Sequence, residues 1–536
     1  MSEANSKTTN LTLDLEDGWV FTQLSGNNRN QPSNRGTDTG EWLPTKIPTG
    51  VHEELLKLSR IPDPFVGLNE HLVQWIGEET WAFQTKFTIT AEMHALPNVD
   101  LVFDGLDTYA TVELDGKKVL ETNNMFVPYR VPIKDALSFS DAATEHSLLI
   151  TFHPTFLKGR SLQRENADKT PAAIRGGGST GGAGVMQGAS NQIPGPNGEL
   201  ALWNGDASRL HVRKAQYHYG WDWGPVLMCV GPWKPIRLES YQLRIAEMRT
   251  EVDIPETLDN ATVKVSAELA GASSKALTAT LTLTEPVSKT ETHSTVEIAS
   301  GANSVQLEVQ ISDPKLWHPV GQGQQSLISP DRYRAWLQLL VDGNQNMVRV
   351  WGGGIYEADV FYDVCDELGI LVWQDFMFGC GQYPAYDEFL ERVSAEVEAN
   401  VKRLRHHPSI VIWAGNNEDY AVAEAIPLEL DYSVEWPSVD FRKTSFPARY
   451  IYEVLLPEMI TKHAPDMYYH RGSPYSGSGK RSDDKQYGDV HQWNVWHVRD
   501  DFSGLTSQEV SGLIWTASIY TRRPVLNFDL HRLVMD

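Results

Sequence analysis

The chain has 536 residues, enough for about three or four domains, and its 41% hydrophobic and 22% charged residues are the balance of a soluble globular protein. A formal net charge of -24 excludes a nucleic-acid surface, which needs clustered Lys and Arg, and equally a basic membrane-binding face. The N-terminus has no positively charged start followed by an apolar run, and no stretch is long and apolar enough to span a bilayer, so an intracellular location and no membrane partner are expected.

From Leu11 to about Leu238 the pattern is that of β structure. Trp81-Ala-Phe-Gln-Thr-Lys-Phe-Thr-Ile and Ala110-Thr-Val-Glu-Leu alternate apolar and polar residues, and Leu148 to Phe152 is a further strand. Asp115-Gly116 between two such runs predicts a type I′ hairpin. Together these predict a β-sandwich or jelly roll. Residues 166–199, with Gly176-Gly-Gly178 and many Ser, Ala, Asn and Pro, are too poor in apolar surface to order themselves and predict a mobile insertion. Order resumes before Trp221-Asp222-Trp223, two indoles around one carboxylate between Gly220 and Gly224-Pro225. Two readings are open on the pattern alone: a sugar-binding corner, or a core corner packed against a neighbouring domain.

Three alternating stretches between Tyr241 and Val320 predict a small immunoglobulin-like sandwich. At Leu327 the period changes. Ser329-Pro330 opens a helix with Tyr333, Trp336, Leu337 and Leu340 on one face, which stops at Gly343. Then come a strand at Met347–Trp351, a helix from about Ala358 to Leu368, a strand at Ile370–Trp373 and an amphipathic helix carrying Phe389, Val393, Val397, Val401 and Leu404. The next strand, Ile410 to Ala414, ends in Gly415-Asn416-Asn417-Glu418. Alternating strand and helix means parallel strands, as in an α/β barrel, whose chemistry gathers at the strand C-termini. Arg349, Trp351, Trp373, Asp375, Asn416, Asn417 and Glu418 all fall there. An ordinary buried strand followed by a polar loop is the other reading of Glu418.

Acidic and amide groups ringed by indoles, without a phosphate loop, dinucleotide fingerprint or metal cluster, point to an uncharged polyhydroxyl substrate and to no cofactor or metal. The three cysteines, Cys229, Cys365 and Cys380, are scattered without metal-ligand spacing, and the first two, in apolar runs, read as buried thiols.

Six motifs in order between about residues 15 and 497 carry a family resemblance: Asp63-Pro-Phe-Val-Gly-Leu-Asn69-Glu, Val73-Gln-Trp-Ile-Gly77, Lys214-Ala-Gln-Tyr-His-Tyr-Gly-Trp221-Asp-Trp-Gly-Pro225, Arg349-Val-Trp-Gly-Gly-Gly354, Trp413-Ala-Gly-Asn-Asn-Glu418 and Gly488-Asp-Val-His-Gln-Trp-Asn-Val-Trp-His497. The chain resembles the β-mannosidases of glycoside hydrolase family 2, most of all the fungal intracellular type. The resemblance implies a multidomain β plus α/β fold: a jelly-roll sugar-binding domain over 1–240, an immunoglobulin-like β-sandwich over 241–327, a partial (β/α)8 barrel over 328–497 and a divergent tail over 498–536. It implies an exo-acting retaining hydrolase that removes terminal β-linked mannose from β-mannosides and manno-oligosaccharides. Glu418 matches the acid/base, and Asn417 the residue that binds the sugar beside the scissile bond. Trp221 and Asp222 match the loop that closes the mannose pocket, while Trp351, His491 and Trp493 line it. A β-galactosidase or β-glucuronidase of the same clan is disfavoured by the Gly-Trp-Asp-Trp-Gly-Pro corner. The oligomeric state is left open.

Two departures from the family stand out. Gln325-Ser-Leu-Ile-Ser-Pro330 passes straight into a helix where the family has further β structure and the first barrel strand. After Trp496-His497 the chain lacks the Ser-Glu-Phe-Gly type strand end that carries the family's nucleophile, and Glu509 is no substitute. The expectation is therefore a family member with internal and C-terminal losses, an incomplete barrel, no nucleophile found, and either weak turnover or sugar binding alone.

Overall fold

The computed structural model describes residues 10–25, 40–138, 144–169, 192–194, 200–202, 207–221, 224–273, 275–284, 289–314, 316–317, 331–425, 428, 430–491, 525–526 and 529–535. Most of the 166–199 insertion, Asp222, Trp223 and Trp493 lie outside these residues, as do Ser329-Pro330 and 492–524.

The first unit is a β-sandwich of two antiparallel sheets. One runs Leu43–Thr45, Trp19–Ser25, Thr80–Thr88, Glu145–Phe152, Tyr109–Leu114, Lys117–Asn123 in spatial order; the other runs Asn10–Asp14, Ile236–Tyr241, Asn98–Phe103, Tyr129–Pro132. Alternation sends Phe21, Trp81, Phe83, Ile150 and Phe152 from the first sheet and Leu101, Phe103, Ile236 and Leu238 from the second into one core. The expected hairpin is present: Asp115 and Gly116 both have positive φ, 50° and 75°, as a type I′ turn requires. Asp115 further fastens the turn by accepting from the Ser147 N–H at 2.8 Å.

A second sandwich pairs Leu243–Asp253, Asn260–Gly271 and Ser304–Ser312 in one sheet and Glu291–Ile298, Leu277–Thr284 and Asp529–Met535 in the other. Its core is aliphatic, with Val263, Val265, Leu281 and Leu307 buried. Residues 529–535, within the stretch read from sequence as a divergent tail, form a strand antiparallel to 277–284, with Leu281 opposite Leu533 and Thr284 opposite Asp529.

The third unit is the parallel one. Met347–Val350, Leu371–Asp375, Ile410–Ala414 and Tyr469–His470 lie side by side in that order, all parallel. The helix Asp359–Leu368 ends at Gly369, whose φ of 71° gives the left-handed cap that turns the chain into the next strand. The helix Asp387–Leu404 buries Phe389, Val393, Val397, Val401 and Leu404 as its spacing predicts. On the sheet face toward the helices Val372, Ile410 and Trp413 join the large core, while Trp373, Ile412 and Ala414 pack together on the other face. Among the described residues the sheet stays open, with Met347, Val348 and Arg349 only partly buried at its edge, so these residues by themselves form no closed barrel.

Ion pairs, one of them fully buried, weld the units. Arg213, fully buried, donates to both Glu396 oxygens at 2.8 and 2.6 Å and lies 4.2 Å from the Phe378 ring centroid. Asn124 and Tyr356 also donate to Glu396. Glu247 of the second sandwich accepts from Lys402 and Arg405 on the long helix side at 2.6 and 3.0 Å. No described helix is long and apolar enough to cross a membrane.

Candidate active site

The strand Ile410–Ala414 is buried almost throughout and hands its polar end to a crowded junction. Gly415 is required there: a Cβ would lie 2.2 Å from the Arg471 carbonyl oxygen and 2.6 Å from the Tyr469 hydroxyl. Beyond it the parallel pairing continues through isolated bridges, Gly379 with Asn417 and Asn417 with Ser473. Glu418 then takes a φ of 65°, in the left-handed region where a side chain is strained, and its N–H donates to Ser473 O at 2.7 Å. Asn416 Oδ1 accepts from the Asp419 N–H and so starts the helix Asp419–Ala425. That turn leaves the Glu418 side chain about one quarter exposed, at 24%.

Four side chains close a ring with this carboxyl. Arg349 Nη2 donates to Asn417 Oδ1 at 3.1 Å; Asn417 Nδ2 reaches Cys380 Sγ at 3.2 Å; Cys380 Sγ reaches Glu418 Oε2 at 3.2 Å. On the other side His491 Nδ1 is 2.6 Å from Glu418 Oε1, and His491 Nε2 is 3.3 Å from Arg349 Nη1. Arg349 is itself held by Asp375, at 2.5 and 3.2 Å, and Asp375 also accepts from Trp373 Nε1 and the Gly352 N–H. Burial pushes the Asp375 carboxyl up, against the pull of Arg349. Ser473 Oγ touches both His491 Nε2, at 2.9 Å, and Asp489 Oδ2, at 2.7 Å. Burial would raise Asp489, but the hydrogen bond from His470 and those from Ser473 and the Tyr475 N–H outweigh it and hold the carboxyl below its ordinary range.

The loop after the strand Leu371–Asp375 is fixed from the first sandwich. Arg209, fully buried, donates to the carbonyls of Gly379 at 3.0 Å and Cys380 at 2.6 Å. Asp419, also fully buried, accepts from the Gly381 N–H and bonds the Tyr452 hydroxyl, and burial pushes its carboxyl up to about 8. The Cys380 thiol is pushed well up by burial and by the Glu418 and Asp419 charges, so it keeps its proton. Trp221, from the first sandwich, meets Trp351 edge to face at 4.9 Å.

Of the residues expected from sequence, Glu418, Asn417 and His491 are therefore in direct or one-residue contact, and Trp221 joins Trp351. Arg349 and Asp375 belong to the same network. Cys365 is buried as expected; Cys229 is only partly so. Sequence reasoning missed Cys380, which lay between two glycines rather than in an apolar run, and Ser473. Asp489 lies in the motif Gly488–His497, whose pattern alone gives it no role. Among the described residues no group of three or more His, Cys, Asp or Glu could hold a metal. A separate cleft of about 630 Å³, lined by residues that include Asp168, Tyr386, Asp387 and Arg442, shares none of these side chains.

Comparison with known proteins agrees on the family. Residues 19–234 match the glycosyl hydrolase 2 galactose-binding domain-like model and residues 243–349 the glycosyl hydrolases family 2 model. The chain is 38% identical to β-mannosidase B of Emericella nidulans over 90% of its own length and to that of Thermothelomyces thermophilus over 91%, and it spans 59% of the length of each. Among solved structures, it is similar to the β-D-mannosidase of Dictyoglomus thermophilum, with a TM-score of 0.71 and 28% identity, covering 92% of this chain and 61% of that one. A β-glucuronidase of Parabacteroides merdae, at TM-score 0.54 and 15% identity over 87% of this chain and 56% of that one, shares the fold.

Proposed function

The chain belongs to glycosyl hydrolase family 2, and from that premise we propose that it acts on terminal β-linked mannose with Glu418 as the acid/base of an exo-acting, retaining hydrolysis. The observation that carries this reading is a partly exposed glutamate at the C-terminal end of a parallel strand, beside Asn417, in a chain homologous to β-mannosidases B over 90% of its length. Glu418 protonates the leaving glycosidic oxygen, then takes the proton of the incoming water. Asn417 reads a hydroxyl of the sugar beside that bond. Trp221 and Trp351 offer apolar faces to its CH groups, with His491 beside the acid/base; the substrate-binding roles of Asp222 and Trp493 rest on the family resemblance alone, both lying outside the described residues. The unit boundaries at 240, 327 and 497 and the intracellular location belong to the same reading.

Retention also needs a carboxylate nucleophile about 5 Å from the acid/base. Asp375, Asp419 and Asp489 are each committed to protein donors. No residue is assigned that role. Those commitments favour a second reading, sugar binding without turnover. Hydrolysis of an aryl β-D-mannoside by the purified chain separates the two. The first reading expects turnover that Glu418→Gln lowers by about 10²–10⁴-fold while mannose still binds; turnover indifferent to that substitution would sink it. Mannose binding by calorimetry with no turnover selects the second.

A further inference from the structure

The ring around Glu418 has a direction. Arginine has only donors, so Asn417 Oδ1 and His491 Nε2 both accept from Arg349. Asn417 consequently presents its NH₂ to Cys380 Sγ, and the single thiol proton is left for Glu418 Oε2. His491, accepting at Nε2, carries its proton on Nδ1 and donates to Glu418 Oε1. Ser473 Oγ has one proton to share between Nε2, at 2.9 Å, and Asp489 Oδ2, at 2.7 Å; wherever it goes, an ionised Glu418 can only accept, so the nitrogen facing it is the donor. While Glu418 is ionised, Nδ1–H points at it in each case. Two arcs thus leave Arg349 and meet on the carboxylate, one through histidine, the other through amide and thiol.

We propose that Cys380 is a positioning residue for Glu418, its S–H holding Oε2 opposite His491 and tying the carboxyl to the Asn417 amide. This rests on the acid/base role proposed for Glu418. The geometry is built at both ends. Cys380 has a φ of 44° and Glu418 of 65°, both in the left-handed region, and the Gly379–Asn417 bridge and Arg209 hold the cysteine's backbone in place. The chemistry suits the task as well. A thiol is a weak donor, so it fixes the oxygen without locking it in the ionised form, and sulfur also accepts weakly once Glu418 is protonated. Among the described residues, the titratable and charged groups facing this contact include His491, Arg349 with Asp375 behind it, Asp419 and Arg209, and Asp489 beyond Ser473.

The test compares Cys380→Ala and Cys380→Ser in the full chain by the pH profile of aryl β-mannoside hydrolysis. Loss of a donor to the ionised form makes Glu418 hold its proton to higher pH, and a proton donor governs the alkaline limb. Cys380→Ala therefore moves that limb up by about half a unit or more and lowers kcat more than it changes KM; Cys380→Ser, whose hydroxyl donates, brings the limb back to or below its original position. A limb that stays put in both variants while activity falls overturns the proposal. A wild-type chain without turnover would refute the proposed hydrolysis but not the contact, which labelling by a small methanethiosulfonate then reads, site by site, by mass spectrometry. Glu418→Gln removes the negative charge facing the thiol and speeds modification of Cys380 at pH 8 about 3-fold or more. Unchanged labelling of Cys380 overturns the contact itself.

Discussion

Asp419, fully buried, has a carboxyl pushed far above the ordinary range, and it sits next in sequence to the candidate acid/base. Its folded-state value of about 8 lies above the ordinary 3.8 because no water reaches it. Between those values the folded protein holds a proton that the unfolded chain has released, so stability falls as pH rises through that window and levels off above it. Asp419→Asn removes the titration while keeping an acceptor for the Gly381 N–H and a partner for Tyr452. Melting curves should therefore show the variant above wild type at pH 8, the two converging near pH 4. A wild-type melting temperature independent of pH across that range would show that Asp419 is ionised in the fold. At this scale the sequence was informative where chemistry is carried by a motif, as at Asn417 and Glu418, and silent at Ser473, whose hydroxyl matters only because the irregular segment after it folds back to bring Asp489 and His491 to it.

Single elements were the most legible. Ile410–Ala414, Leu371–Asp375 and the helices on either side follow from apolar period and glycine stops, since local burial pattern and backbone preference agree there. Closure is different: whether a row of parallel strands becomes a barrel depends on partners far along the chain, and no local period encodes it. The strand-end geometry is equally non-local. Gly415 reads as an unremarkable small residue until the Arg471 carbonyl is placed against it. Gly415→Ala should force the strands Ile410–Ala414 and Tyr469–His470 apart, at a cost of about 2 kcal/mol or more from overpacking, and displace Asn417 and Glu418 with them. Denaturant melts and mannose affinity measured on the same variant check this; a variant as stable as wild type with unchanged affinity would refute the close approach.

At the scale of the whole molecule the first sandwich and the parallel unit are joined through the buried Arg213–Glu396 pair, with Asn124 and Tyr356 on the same carboxylate. Arg213→Met leaves Glu396 buried without its counter-charge and is expected to lose about 3–5 kcal/mol, whereas Arg213→Met combined with Glu396→Leu should recover much of that loss. Chemical denaturation of the three variants gives the coupling directly. The second sandwich has a different dependence, because the strand 277–284 is flanked by 291–298 on one side and by 529–535 on the other. Ribosomal synthesis delivers those two neighbours roughly 240 residues apart, at about 5–20 residues per second. For tens of seconds the nascent chain therefore carries an unmated β edge, open to other chains, until 529–535 emerges to pair with it.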